Sequence, residues 1–241
     1  MTQSLDGKLA LVTGASRGIG AGTAKALAAE GAHVILVART VGGLEEVEEA
    51  IHEAGGSATI APLDLVDGDS IQRLSAAVKE RWGTLDILVL NAAILGSLTP
   101  VAQIEAKELR DVMTLNFIAQ QALIAAFDPM LRKSVAGRLI AVTSSVGAAP
   151  RAYWGNYGAS KAALDTLVTA YGEEVQNLSP VKVAIIDPGG TATDMRAQAF
   201  PGEDPATLKS PDMVASDIVG LVSADLETGH RHIVQPPASR S

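Results

Sequence analysis

Of the chain's three tyrosines, Tyr153, Tyr157 and Tyr171, Tyr157 alone has a lysine four residues on, Lys161. In a helix, residues at i and i+4 share a face. A phenol titrates near pH ~10, and an adjacent ammonium favours its charged form. Bringing it to about 7 takes about 3 units, or ~4 kcal/mol. A lysine together with a cationic ring of a bound cofactor is expected to supply that. The chemistry such a pair offers is proton transfer at a fixed point.

A second signal lies near the start. Thr13-Gly14-Ala15-Ser16-Arg17-Gly18-Ile19-Gly20 follows an apolar run and opens a helical segment reaching Glu30. Gly14 suits a tight turn, while Gly18 and Gly20 leave no Cβ where a ligand or the sheet must approach. The free N–H groups and dipole of a helix N-terminus attract a pyrophosphate. The next apolar run ends in Ala38-Arg39-Thr40, with no acid before Glu45. A site for NAD would carry an acid there for the ribose hydroxyls. Arg39 and Arg17 instead suit a 2′-phosphate, so NADP(H) is expected over NAD(H).

These residues need elements to hold them. Apolar runs at Leu9–Val12, His33–Ala38, Ala58–Ala61, Asp86–Leu90, Arg138–Val142, Val181–Ile186 and near His232–Val234 read as strands. Helical spacing fills the gaps; Leu44, Val47, Ile51 and Ala54 form one stripe opposite a glutamate-rich face. Continuous apolar strands alternating with helices imply an α/β fold, a doubly wound parallel sheet of about seven strands in one Rossmann domain spanning 1–241. A (β/α)₈ barrel also suits the length, but the glycine turn argues against it. Asn91-Ala92-Ala93, Ser144-Ser145 and Pro188-Gly189 each follow a strand, where open α/β sheets bind ligands. Asn116 falls within a long helical segment, Glu105 to about Phe127. The proline-bearing stretch Thr191–Pro211 reads as a substrate lid with a short helix.

Composition narrows the classes. The 241 residues are 47% hydrophobic and 19% charged, a globular balance. With no cysteine, thiolate metal sites, disulfides and a cysteine nucleophile are excluded. A net charge of −8 speaks against nucleic acid and anionic membranes as partners. No apolar run reaches the ~18–20 residues of a membrane span. The opening Met-Thr-Gln-Ser-Leu-Asp-Gly-Lys has no leader pattern, so a soluble cytoplasmic protein is expected.

Together the motifs resemble the short-chain dehydrogenase/reductase family, over about residues 5–234. Thr13–Gly20 matches its cofactor loop, Asp64 with Leu65 its acid beside the adenine, and Asn91-Ala92-Ala93 its Asn-Ala-Gly motif. Asn116, Ser144, Tyr157 and Lys161 match its catalytic tetrad; Pro188-Gly189, Thr191 and Thr193 fall in its nicotinamide loop. Family spacing puts the serine thirteen residues before the tyrosine, selecting Ser144 over Ser145. The resemblance implies hydride transfer between NADP(H) and a small carbonyl or alcohol compound. Tyr157 would be the general acid/base, Lys161 would lower its pKa and bind the ribose, Ser144 would bond the substrate oxygen, and Asn116 would hold a water. It also implies a homodimer or homotetramer. The ending Ile233-Val234-Gln235-Pro236-Pro237 departs from the usual Val-Asp-Gly-Gly, which bears on subunit contacts, and Ala93 replaces a glycine. Arg196–Pro205 is similar to a bacterial subgroup of unassigned substrate. The alternatives are a 3-oxoacyl-thioester reductase of fatty-acid type and a catalytically silent NADP(H)-binding regulator.

Other signals carry less. His230 and His232 alternate on one strand face but lack a nearby carboxylate in sequence, so no metal site is expected. Asp187 reads as a turn-forming residue, Trp82 as packing, and Trp154 as packing or a wall of the substrate pocket.

Overall fold

The computed structural model describes residues 4–235. Each apolar run becomes a strand: β1 (Leu9–Thr13), β2 (His33–Ala38), β3 (Ser57–Pro62), β4 (Ile87–Leu90), β5 (Arg138–Val142), β6 (Lys182–Asp187) and β7 (His230–Ile233). They pair in parallel in the order β3-β2-β1-β4-β5-β6-β7. The chain starts mid-sheet, steps outward to β3, then returns to the other side of β1 and steps outward again. The reversal between β1 and β4 opens a crevice at the carboxyl ends of the strands.

The continuous hydrophobicity of the strands has a direct cause. Alternate residues face opposite sides, and both sides are covered by helices. Val12, Val34, Leu36 and Val89 pack with Leu27 of α1 (Gly18–Ala29), Leu44 and Ile51 of α2 (Val41–Glu53) and Ile218 of α9 (Pro211–Ser223). Leu11, Ile35, Leu88 and Leu139 pack on the other side. Their partners are Ile71 of α3 (Gly68–Arg81), Phe127 of α5 (Ala119–Leu131) and Val168 of α7 (Gly155–Val175).

Two elements differ from the sequence reading. The segment from Glu105 is broken: α4 (Ala106–Met113) passes into a π-helical turn, Thr114–Ile118, before α5. Asn116 stands in that turn, with its side chain bonded to main-chain groups of Ile94 in the β4 loop. A hydrophobic stripe tolerates one widened turn, so periodicity did not reveal it. The last strand begins two residues earlier than expected. Its register, from Ala184↔His230 to Asp187↔Ile233, recruits His230 and Arg231, which are exposed on an edge and carry no apolar signal.

After β6 the chain forms a parallel bridge, Thr191↔Lys209, around an excursion that holds α8 (Asp194–Ala199) and a 3₁₀ turn at Pro205–Thr207. A short α6 (Ser145–Ala148) follows β5. Met1–Gln3 and Pro236 and Pro237, used above for the leader and subunit-contact readings, lie outside the described residues.

Candidate active site

A cleft of about 680 Å³ runs along the carboxyl ends of the strands. Gly14, Ser16, Arg17, Gly18 and Ile19 form its floor at one end. Gly14 and Gly18 have φ of 66° and 55°, the left-handed region that other residues adopt at a cost. A Cβ on Gly18 would stand 3.3 Å from Thr193 in the excursion after β6. No side chain caps the N-terminus of α1, so its first N–H groups face the cleft without a side-chain partner. A glycine cradle at an uncapped helix end fits a pyrophosphate. Gly20 takes the second of its two expected roles, close approach to the sheet. It lies outside the cleft wall, and a Cβ there would meet the Gly14 carbonyl oxygen at 2.1 Å, so this glycine seats the helix against β1.

Arg39 and Thr40 line the cleft where β2 ends, with Asp64 and Leu65 across from them after β3. Arg39 is exposed. Arg17 lies 3.4 Å from Asp194 at the start of α8, and both side chains are 78% exposed. Asn91, Ala92 and Ala93 line the middle. Asn91 serves as a strut: its Nδ2 donates to the Thr13 carbonyl at 2.8 Å, and its N–H donates to the Thr13 hydroxyl at 2.9 Å. It ties the ends of β4 and β1 together across the crevice.

At the other end Ser144, Tyr157 and Lys161 converge on the cleft, from the end of β5 and the first turns of α7. The Ser144 hydroxyl accepts from the Val146 N–H, capping α6. Ser145 is not among the cleft residues. Tyr157 is 7% exposed and Lys161 2%. The Lys161 ammonium donates to the Val142 carbonyl at 2.9 Å and lies 5.7 Å from the centre of the Tyr157 ring. Burial, with the Asp187 carboxylate adding to it, pushes the Tyr157 phenol well above its ordinary range. In the protein alone, burial thus outweighs the pull of Lys161; the lowering expected above also draws on the positive charge of a bound cofactor. Burial likewise pushes Lys161 down to about 8, against the pull of Asp165. A charge taken out of water is penalised, whichever group carries it.

Asn116 is fully buried behind the wall rather than in it. Its Oδ1 accepts from the Ile94 N–H, and its Nδ2 donates to the Ile94 carbonyl and the Ser160 hydroxyl, at 2.9, 2.8 and 3.0 Å. Both Nδ2 hydrogens are thereby used, while Oδ1 keeps a second lone pair. Pro188, Gly189, Thr191 and Thr193 line the cleft where the chain leaves β6. Asp187 accepts from the Gly189 N–H at 2.9 Å and so shapes that turn, as expected.

The sequence reading missed several neighbours. Ile94, Leu95, Met195, Arg196 and Ala199 also line the cleft, the last three from α8. Lys209, 9% exposed, donates to the Val234 carbonyl at 2.5 Å and fastens the base of the 191–209 excursion to the chain beyond β7. Trp154 lines the cleft and packs edge-on against Tyr157, while Trp82 packs beside His33. His232 does have a carboxylate neighbour, Asp217 at 2.6 Å, supplied by α9 and so distant in sequence. Among the described residues no three metal-ligating side chains come together, and no helix is long and apolar enough to cross a membrane.

The family model described as short chain dehydrogenase matches residues 8–204. The chain is 37% identical over 237 residues to the uncharacterised oxidoreductase YciK of Escherichia coli K12, covering 96% of this chain and 93% of that one. A short-chain dehydrogenase structure from Pseudomonas syringae superposes with a TM-score of 0.94 at 37% identity, covering 98% of this chain and 97% of the other. Another, from Shigella flexneri 2a in complex with NADP, gives 0.93 at 37% identity, over 98% and 100% of the two chains. A parallel seven-stranded sheet, a glycine cradle at the first helix and these likenesses over nearly the full length agree: the chain belongs to the short-chain dehydrogenase family, a family of oxidoreductases.

Proposed function

We propose that the protein interconverts a carbonyl and an alcohol at the expense of NADP(H), with Tyr157 as general acid/base. The observation that carries this reading is one continuous cleft. It joins an uncapped glycine-lined helix end and two arginines to a buried Tyr157 beside Ser144 and Lys161. The relative crystallised with NADP supports the choice of cofactor. Gly14–Ile19 would hold the pyrophosphate, Arg17 and Arg39 the 2′-phosphate, and Asp64 and Leu65 the adenine side. Pro188, Gly189, Thr191 and Thr193 would hold the nicotinamide end. Bound there, the nicotinamide ring supplies the hydride for reduction and takes it back on oxidation.

The chain's own groups handle the proton. Burial keeps Tyr157 protonated at neutral pH. It is therefore ready to donate to the carbonyl oxygen as the carbon is reduced. In the opposite direction it must first give its proton up, which favours alkaline conditions. The Ser144 oxygen accepts from Val146, leaving its own O–H to donate to the oxygen where charge develops. Lys161 uses one donor on Val142 and keeps two for ribose hydroxyls. Asn116 is a positioning residue, bracing the Ile94 loop against α7 through Ser160. Residues 191–211 act as the lid.

The test is NADPH consumption with ketones, aldehydes, diketones and 3-oxoacyl thioesters, run in parallel with NADH. NADPH-dependent reduction of a ketone or aldehyde is expected. Turnover confined to acyl thioesters would point to the fatty-acid type of reductase. Tight NADPH binding with no turnover of any carbonyl would favour a cofactor-binding regulator.

A further inference from the structure

The cleft changes character around Tyr157. Leu95 and Val146 pack with it, joined by Leu98, Trp154, Met195 and Ala199. Trp154 meets Tyr157 edge-on at 6.0 Å between ring centres, and Phe200 packs on Trp154 at 5.8 Å. The Arg196 guanidinium in turn lies 3.8 Å from the centre of the Phe200 ring. A ladder of flat groups thus runs from Tyr157 out to the lid.

Among the described cleft-lining residues the cations are Arg17, Arg39, Lys161 and Arg196. Arg17 and Arg39 belong to the glycine-loop end, and Lys161 is bonded to Val142. Arg196 is the cation at the substrate mouth, and it is already taken. Its Nε and Nη2 donate to the two oxygens of Glu203 at 2.5 and 2.6 Å, with side chains 25% and 28% exposed. This fork-to-fork pairing occupies the Nε/Nη2 edge of the guanidinium and neutralises its charge, leaving only the Nη1 end without a carboxylate partner among the described residues. Stacking on Phe200 covers one of its flat sides.

We propose that Glu203 masks Arg196, so that the mouth accepts neutral carbonyl compounds bearing an aryl or comparable apolar group and rejects anionic ones. This deepens the oxidoreductase reading and rests on it. An apolar group gains by stacking among Trp154, Leu95 and Met195. An anionic substrate must either displace Glu203 from Arg196 or lie desolvated among apolar side chains. Both cost affinity, and the Glu203 charge adds repulsion. Glu203 therefore determines specificity without touching the reacting atoms.

Methyl benzoylformate and benzoylformate share the same phenyl group and ketone and differ in charge. In the wild type, kcat/KM for the ester should exceed that for the acid by roughly 10–150-fold, the scale of one lost charge-assisted contact. Glu203→Gln uncovers Arg196 and should narrow that ratio at least ~10-fold, mainly through a lower KM for the acid. Arg196→Met, which removes the cation as well, should leave the ratio wide. Calorimetric titration of methyl mandelate and mandelate into the protein alone reads the same preference without turnover. Ester-selective binding that narrows in Glu203→Gln, with neither ketone reduced, supports the mask and counts against the oxidoreductase reading. Equal use or binding of acid and ester by the wild type overturns the mask. So does an unchanged ratio in Glu203→Gln, or no binding of either compound.

Discussion

Lys161 lies one turn along α7 from Tyr157, and its ammonium gives one of its three donors to the Val142 carbonyl at 2.9 Å, with the ring centre 5.7 Å away. Both groups are buried, and burial moves their titrations in opposite directions. The pair thus stores two desolvated groups at the end of β5, one neutral at pH 7 and one charged.

The stored charge gives a pH signature. Lys161 is depressed to about 8 from an ordinary 10.5, so between those values the unfolded chain holds a proton that the folded chain has lost. Folded stability from this group therefore rises with pH across that window. Tyr157, shifted the other way, removes stability above its ordinary value of 10. Melting temperatures of wild type and Lys161→Met compared from pH 7 to 9.5 should show the wild type gaining on the variant as pH rises. A constant difference would mean that Lys161 is not a buried charge.

Gly20→Ala places a methyl group 2.1 Å from the Gly14 carbonyl oxygen and 2.6 Å from the Asn91 amide nitrogen. Both are held rigidly, since Asn91 also ties β4 to β1. The variant should lose about 1–3 kcal/mol or more in chemical denaturation. It should also bind NADPH poorly. Wild-type stability in Gly20→Ala would contradict the close helix–strand approach.

Asn116→Ala strips the Ile94 N–H and carbonyl of their partners in a buried setting. An unsatisfied buried polar group costs about 1–3 kcal/mol. Unfolding should report a loss on that scale, with faster hydrogen exchange at Ile94. Full stability with lost activity alone would instead argue that Asn116 acts on the chemistry.

How much of this was legible in the chain depends on distance along it. Tyr157 with Lys161, and Gly14 with Gly18, were legible because the partners lie within one helical turn or one loop, where local geometry fixes their relation. The arrangement of Arg196 and Glu203 beneath Phe200 and Trp154 was not, because it joins α8, its following turn and the start of α7, whose meeting is settled by folding. Asp217 beside His232 and Val234 beside Lys209 were hidden for the same reason. The upward shift at Tyr157 escaped because i,i+4 spacing shows a neighbour's charge but not the depth at which both groups sit.

Arg39 is exposed at the end of β2, where it lines the cleft beside Thr40. If it reads the 2′-phosphate, Arg39→Ala should cost NADPH roughly 10–150-fold in affinity, one charge-assisted contact, and leave NADH nearly unchanged. Arg39→Asp should cost more and improve NADH. Fluorescence titration of both cofactors checks this; unchanged discrimination in Arg39→Asp would remove Arg39 from the phosphate site.

The proposed activity turns on Tyr157 moving the proton. Steady-state NADPH oxidation with an accepted ketone, paired with NADPH titration, compares wild type with Tyr157→Phe and Tyr153→Phe. Tyr157→Phe should lower kcat at least ~100-fold while the NADPH Kd stays within about threefold, because the ring remains and only the acidic proton is gone. Tyr153→Phe, at an exposed position, should stay near wild type. A Tyr157→Phe variant that keeps more than a tenth of the wild-type kcat, with chemistry rate-limiting, would rule Tyr157 out as the group that moves the proton.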